Sequence, residues 1–100
     1  MAIEVHRREH DYEITVDGEH AGLAAFQERP GVVVFTHTEV DDAFEGQGLG
    51  SRLARAALDD VRARGLSVDP VCPFIRRWIE RHPDYQDLAV QVPDRSDRQA

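Results

Sequence analysis

Three glycines stand on alternate positions, Gly46, Gly48 and Gly50, in the segment DDAFEGQGLGSRL at residues 41–53. They separate an apolar run from a stretch with helical periodicity. A strand, a glycine-rich turn and a helix start form a device for holding phosphate. The first amides of a helix lack internal partners and carry the positive end of its dipole, and glycine lets the backbone come close to an anion. Just upstream, in VVVFTHTEV, His37 and Glu39 stand two residues apart and would be neighbours on a strand. An imidazole or carboxylate there can take a proton from an amine near neutral pH. The competing reading is a hydrogen-bonded pair on a partly exposed strand face. Cys72 precedes Pro73 at the start of a second helical stretch, where the dipole favours thiolate. An inert, buried cysteine is the equal alternative.

The owner of the phosphate is narrowed by what surrounds the glycines. A nucleotide-triphosphate loop requires a lysine and a hydroxyl residue at its end, and Gly50 is followed by Ser51-Arg52. Gly46, Gly48 and Ser51 approximate the dinucleotide spacing, with Asp69 downstream where a ribose ligand belongs. That fold, however, needs further parallel strands, and the upstream pattern is antiparallel. A plain tight turn with close helix packing is the remaining alternative for glycines alone.

The elements that must position these residues are set by periodicity. Ile3 and Val5, then Tyr12, Ile14 and Val16, recur at every second residue, which predicts two strands with a turn near 9–11. Asp17-Gly18 predicts a type I′ hairpin, and 19–28 a returning strand. Arg29-Pro30-Gly31 is a turn into Val32-Val33-Val34-Phe35. Strict alternation from there would put Val33, Phe35, His37 and Glu39 on one face and Val34, Thr36, Thr38 and Val40 on the other. Leu49, Leu53, Ala57 and Val61, flanked by Ala54 and Leu58, form a helical stripe that Gly65 stops. A short strand over 66–69 precedes a second helix that opens at Pro73, buries Phe74, Ile75, Trp78 and Ile79, and ends at His82-Pro83. Residues 1–90 are expected to form one domain, and the polar sequence from Gln91 a frayed tail. The fold class is α/β: a mixed, mostly antiparallel sheet of about five strands with two main helices.

Composition sets outer limits. The chain has 100 residues, one cysteine and a net charge of -7. It contains no lysine, so phosphate contacts fall to backbone amides and arginine. The acidic balance argues against nucleic acid and suits a cationic substrate such as an amine. No apolar run reaches the roughly 20 residues that span a bilayer, and the N-terminus lacks a secretory pattern. A cytoplasmic protein, not membrane-bound, is expected. His6, His10, His20 and His82 show no ligand spacing, so no metal is expected.

Residues 32–53, VVVFTHTEVDDAFEGQGLGSRL, resemble the central motif of the GNAT superfamily of acyl-CoA-dependent N-acetyltransferases. Together with PVCPFIRRWIERHPDY, residues 70–85, they resemble its minimal, hundred-residue branch, and the likeness runs from about Tyr12 to Leu88. It implies a truncated GNAT fold that binds acetyl-CoA and transfers the acetyl group to an amine. The alternative is a non-catalytic acyl-CoA-binding module that keeps the cofactor site. The resemblance further implies that Gly46, Gln47, Gly48, Leu49, Gly50 and Ser51 hold the coenzyme A pyrophosphate and that the Val40 backbone lies along the pantetheine. His37 or Glu39 would assist the amine, and Cys72 would lie near the acetyl group, as an acyl carrier or as pocket lining. Glu45 departs from the motif, which has Gln or Arg at that position. Tyr85 fits the usual proton-donor spacing poorly and is read as packing; Arg76 and Arg77 are read as a solvated face that could approach phosphates. A monomer or weak homodimer is expected.

Overall fold

The computed structural model describes residues 1–90, so the tail expected from Gln91 lies outside the described residues. Four strands, β1 (Ile3–Arg7), β2 (Asp11–Val16), β3 (Glu19–Arg29) and β4 (Val32–Val40), form an antiparallel meander. The β2–β3 turn has φ of 52° at Asp17 and 83° at Gly18, the paired positive values of a type I′ turn. After a 3-10 turn at Asp42–Phe44, helix α1 (Leu49–Ala63) crosses to β5 (Ser67–Pro70), which pairs parallel with β4. A parallel return requires such a crossover, and here α1 supplies it. Helix α2 (Pro73–Glu80) and a 3-10 turn, Pro83–Leu88, complete the described chain.

One hydrophobic cluster organises these elements. Tyr12, Ile14, Phe26, Val33 and Phe35 meet the α1 stripe of Leu49, Leu53, Ala57, Leu58 and Val61, and Ile75, Trp78 and Ile79 of α2 join them. Phe74, expected in that buried face, is 38% exposed. Its ring leans instead toward the start of α1, where a Cβ added to Gly50 would lie 3.0 Å from Phe74 Cζ. Ile3 and Val5 pack against the core while Glu4 and His6, which alternate with them, face solvent, so β1 lays a polar stripe on the opposite sheet face.

The expected alternation along β4 fails at one residue. Ala25 faces His37 but Phe26 faces Phe35, so Thr36 is an extra residue on β4 without a partner on β3. Such a bulge reverses the side-chain phase of the residues beyond it. Val33 and Phe35 point into the core, yet past the bulge it is Thr38 and Val40 that take the core side. His37 and Glu39 share a face with each other but not with Val33 and Phe35.

Candidate active site

The bulge coincides with a second break. The β4–β5 ladder runs from Val32↔Ser67 to Phe35↔Pro70 and ends there. Cys72 N–H donates to Phe35 O at 2.8 Å, after which the chain turns into α2. Beyond Phe35, β4 runs on for five residues with no β5 partner. On its other side, Asp41 N–H donates to Ala21 O at 2.8 Å. Antiparallel pairs alternate between bonded and non-bonded positions, so counting back by twos makes Glu39 and His37 bonded positions toward β3. The N–H and C=O groups of Thr38 and Val40 therefore face the opening left by β5. An extended ligand can add to this edge by main-chain hydrogen bonds.

Cys72 lines the closed end of that opening. It is buried, its Sγ lies 3.3 Å from Thr38 Oγ1, and it occupies the N-cap position of α2 without a side-chain capping bond. On the other sheet face, His37 Nε2 lies 2.7 Å from Glu39 Oε2, and both side chains are more than half exposed. An ionised carboxylate only accepts, so Nε2 carries the proton and Nδ1 keeps a lone pair. Such an imidazole can accept a proton at Nδ1 while Glu39 stabilises the resulting cation.

The glycine loop builds the open end. Gly46 and Gly48 have φ of 85° and 73°, the left-handed region that glycine enters without strain. Gly48 is the N-cap of α1, has no side chain to cap with, and accepts the first helical bond, from Arg52 N–H at 3.2 Å. The amides of Leu49, Gly50 and Ser51 therefore have no partner within the helix. They border a cleft of about 400 Å³ lined by Val40, Phe44, Glu45, Gly46, Gly48 to Ser51, Phe74, Trp78, Arg81 and His82. Backbone donors, a hydroxyl and a guanidinium around an uncapped helix start match the needs of a diphosphate, so these residues fit coenzyme A. A larger cleft, about 510 Å³, lies between β1 and α1, but shares only Ser51 with the glycine loop and contains none of the candidate catalytic residues.

Of the loop residues singled out in the sequence, Gly46, Gly48, Leu49, Gly50 and Ser51 line the smaller cleft together with Val40; Gln47 is exposed and does not. The cation at the cleft is Arg81, whereas Arg76 and Arg77 are exposed on α2 and do not line it. Trp78, Arg81 and His82 are site residues that sequence reading misses. The only signal in the sequence is the four-residue spacing of Trp78 and His82, whose rings stack where the chain leaves α2. Tyr85 is a packing residue: it is buried, and its hydroxyl donates to Asp59 Oδ1 at 2.7 Å. That bond, with burial, raises its pKa. Among the described residues no cluster of potential ligands is arranged to hold a metal, and no helix is long and apolar enough to cross a membrane.

The chain as a whole is similar to known proteins. The profile of the family described as GCN5-related N-acetyl-transferase matches residues 11–88. The chain belongs to that family. The human protein NATD1 is 32% identical to this GCN5-related chain over 95 residues, which cover 93% of it and 84% of NATD1. Among solved structures, a GCN5-like protein from Staphylococcus aureus superposes with a TM-score of 0.69 at 22% identity, covering 94% of both chains. The ribosomal-protein-S18-alanine N-acetyltransferase of Escherichia coli superposes with a TM-score of 0.60 at 21% identity. That match covers 75% of this GCN5-related chain and 53% of the enzyme. These likenesses establish the GNAT fold, the mixed five-stranded sheet with helices expected from the sequence.

Proposed function

We propose that the protein is an acetyl-CoA-dependent N-acetyltransferase acting on an amine. The observation that carries this reading is the continuity between the glycine cleft and the unpaired edge of β4, both bordered by Val40. Acetyl-CoA supplies an activated acetyl thioester whose carbonyl an amine lone pair can attack. The amides of Leu49, Gly50 and Ser51 hold the pyrophosphate, and Arg81 adds positive charge. The main-chain groups of Thr38 and Val40 align the pantetheine in the opening between β4 and β5. His37 Nδ1 takes the proton that the amine must lose, and Glu39 steadies the imidazolium. Cys72, buried against Thr38, lines the acetyl pocket, and transfer proceeds directly to the amine: its nitrogen bonds the acetyl carbonyl carbon, the C–S bond breaks, and CoA leaves as a thiolate that is protonated by the imidazolium or by solvent. Calorimetric titration with acetyl-CoA and CoA, followed by turnover across a broad amine panel, tests the reading. Absence of any binding would sink it.

A second reading, an acyl-CoA-binding module without catalysis, draws on one observation. None of His37, Glu39 and Cys72 lines the cleft that would hold the cofactor. Tight CoA binding without turnover of any amine would favour it.

A further inference from the structure

We propose that Trp78, Arg81 and His82 form a second, proton-linked wall of the anion cleft, facing the glycine loop, which binds a diphosphate more tightly when His82 is protonated. The inference rests on the reading of this cleft as the coenzyme A phosphate site. Trp78 Nε1–H donates to Ser51 Oγ at 2.8 Å. Indole nitrogen only donates, so this bond occupies a lone pair of the serine and leaves its own O–H to donate elsewhere. Among the described residues nothing accepts that O–H, and Ser51 lines the cleft. Trp78 thus orients Ser51 as a donor toward an anion.

The same tryptophan fixes His82. The two rings stack at 3.7 Å between centroids and 11° between planes, and His82 Nδ1 lies 2.6 Å from Trp78 O. A carbonyl only accepts, so Nδ1 carries the proton, and among the described residues Nε2 has no hydrogen-bond partner. In the neutral ring Nε2 presents a lone pair, which repels a phosphate oxygen. Protonation turns it into a charge-assisted donor beside Arg81. The other charged and titratable groups nearby come from several elements. Glu45 lines the cleft from the loop. Arg55 of α1 lies over the Trp78 ring, 5.3 Å from its centroid. Asp59 of α1 is bonded to Tyr85, which packs edge-on to Trp78, and Asp84 lies in the next turn. In a chain without lysine, this histidine is a cation that the cleft can switch on.

Because the anion favours the charged ring, binding takes up a proton and affinity falls as pH rises through the His82 titration. Trp78 is the only tryptophan, so its fluorescence reports the site directly. CoA and pantetheine are titrated into the full chain and into His82→Asn, which can still donate to Trp78 O, between about pH 5.5 and about pH 8.5. The expected result is a CoA dissociation constant that rises with pH by at most about tenfold per unit, flattening in His82→Asn, with pantetheine insensitive to pH throughout. Where the variant fails to fold, the His82 ring is titrated by NMR in the wild-type chain with and without CoA, and its pKa should rise on binding. CoA binding with the same pH slope in both proteins, or a His82 titration unmoved by CoA, overturns this inference and leaves the cofactor reading standing. No CoA binding at any pH overturns both.

Discussion

Thr38 Oγ1 and Cys72 Sγ meet at 3.3 Å where β4 and β5 part, so the chain's one cysteine closes the inner end of the opening between these strands. Buried as a small apolar group, it can share a weak hydrogen bond with the Thr38 hydroxyl, and among the described residues no ionisable side chain is bonded to it. Cys72→Ala should therefore keep turnover within about threefold and lose about 1 kcal/mol of stability for the small cavity. Mass spectrometry after incubation with acetyl-CoA should find no acetyl group on Cys72; a stoichiometric adduct that disappears on adding amine would establish the acyl-enzyme route instead.

The base role proposed for His37 rests on the bulge at Thr36, which turns it, with Glu39, away from the core. Replacing it with Gln removes the titrating nitrogen while keeping an amide of similar reach. The maximal rate should fall by about 10²-fold or more, with little change in CoA affinity. Steady-state kinetics and CoA titration of both proteins check this, and a variant with an unchanged maximal rate would remove His37 from the proposed chemistry.

Glu45 lines the cleft where phosphate charge is expected. Its carboxylate opposes that charge, and solvent screens the repulsion at an exposed position. Glu45→Gln should tighten CoA binding by about two- to tenfold at low salt, with the gain shrinking as salt is added. Calorimetry at two ionic strengths decides it, and weaker binding would mean that Glu45 holds the loop in shape.

Gly22 offers a test of the β3–β4 platform. A Cβ at this position would lie 2.5 Å from Glu39 O, a backbone atom that cannot swing aside. Gly22→Ala should cost about 1–3 kcal/mol, seen as a lower midpoint of unfolding, and should displace the β4 edge that carries Thr38 and Val40. Loss of both stability and CoA affinity is the expected pairing; a variant with unchanged melting would contradict this close strand packing.

Both tyrosines resist ionisation. Burial pushes the Tyr12 phenol well above its ordinary range, aided by its 2.6 Å bond to Asp60, and the bond to Asp59 raises Tyr85. A pKa raised by folding means that the native chain holds protons the unfolded chain has released. Stability is then full below the ordinary tyrosine range, about pH 10, and declines as pH climbs from there toward the folded values. Tyrosinate absorbance should therefore emerge above the ordinary midpoint and together with unfolding, and Tyr12→Phe should remove part of that alkaline dependence. Titration with normal midpoints in the folded state would contradict both hydrogen bonds.

Much of this molecule is legible in its residue order because local rules settle it. The Asp17-Gly18 turn, the alternation in β2, the α1 stripe and the stop at Gly65 each arise from backbone sterics or from a period of two or 3.6 residues. The glycine loop is legible for the same reason: positive φ at Gly46 and Gly48 is a local property. The face on which His37 lies relative to Phe35 is not, because one unpaired residue at Thr36 reverses the phase and is defined only against β3. Nor can residue order show that Phe74 leans over Gly50, that Arg81 rather than Arg76 or Arg77 borders the cleft, or that Trp78 reaches Ser51. Those relations join segments more than twenty residues apart, or depend on how far α2 turns before it ends. By itself, then, the sequence determined the elements, the glycine-rich loop before α1 and the family resemblance, since these reside in short-range patterns. The tertiary structure alone decided which side chains face that loop, because strand register and helix packing depend on contacts that no local period records.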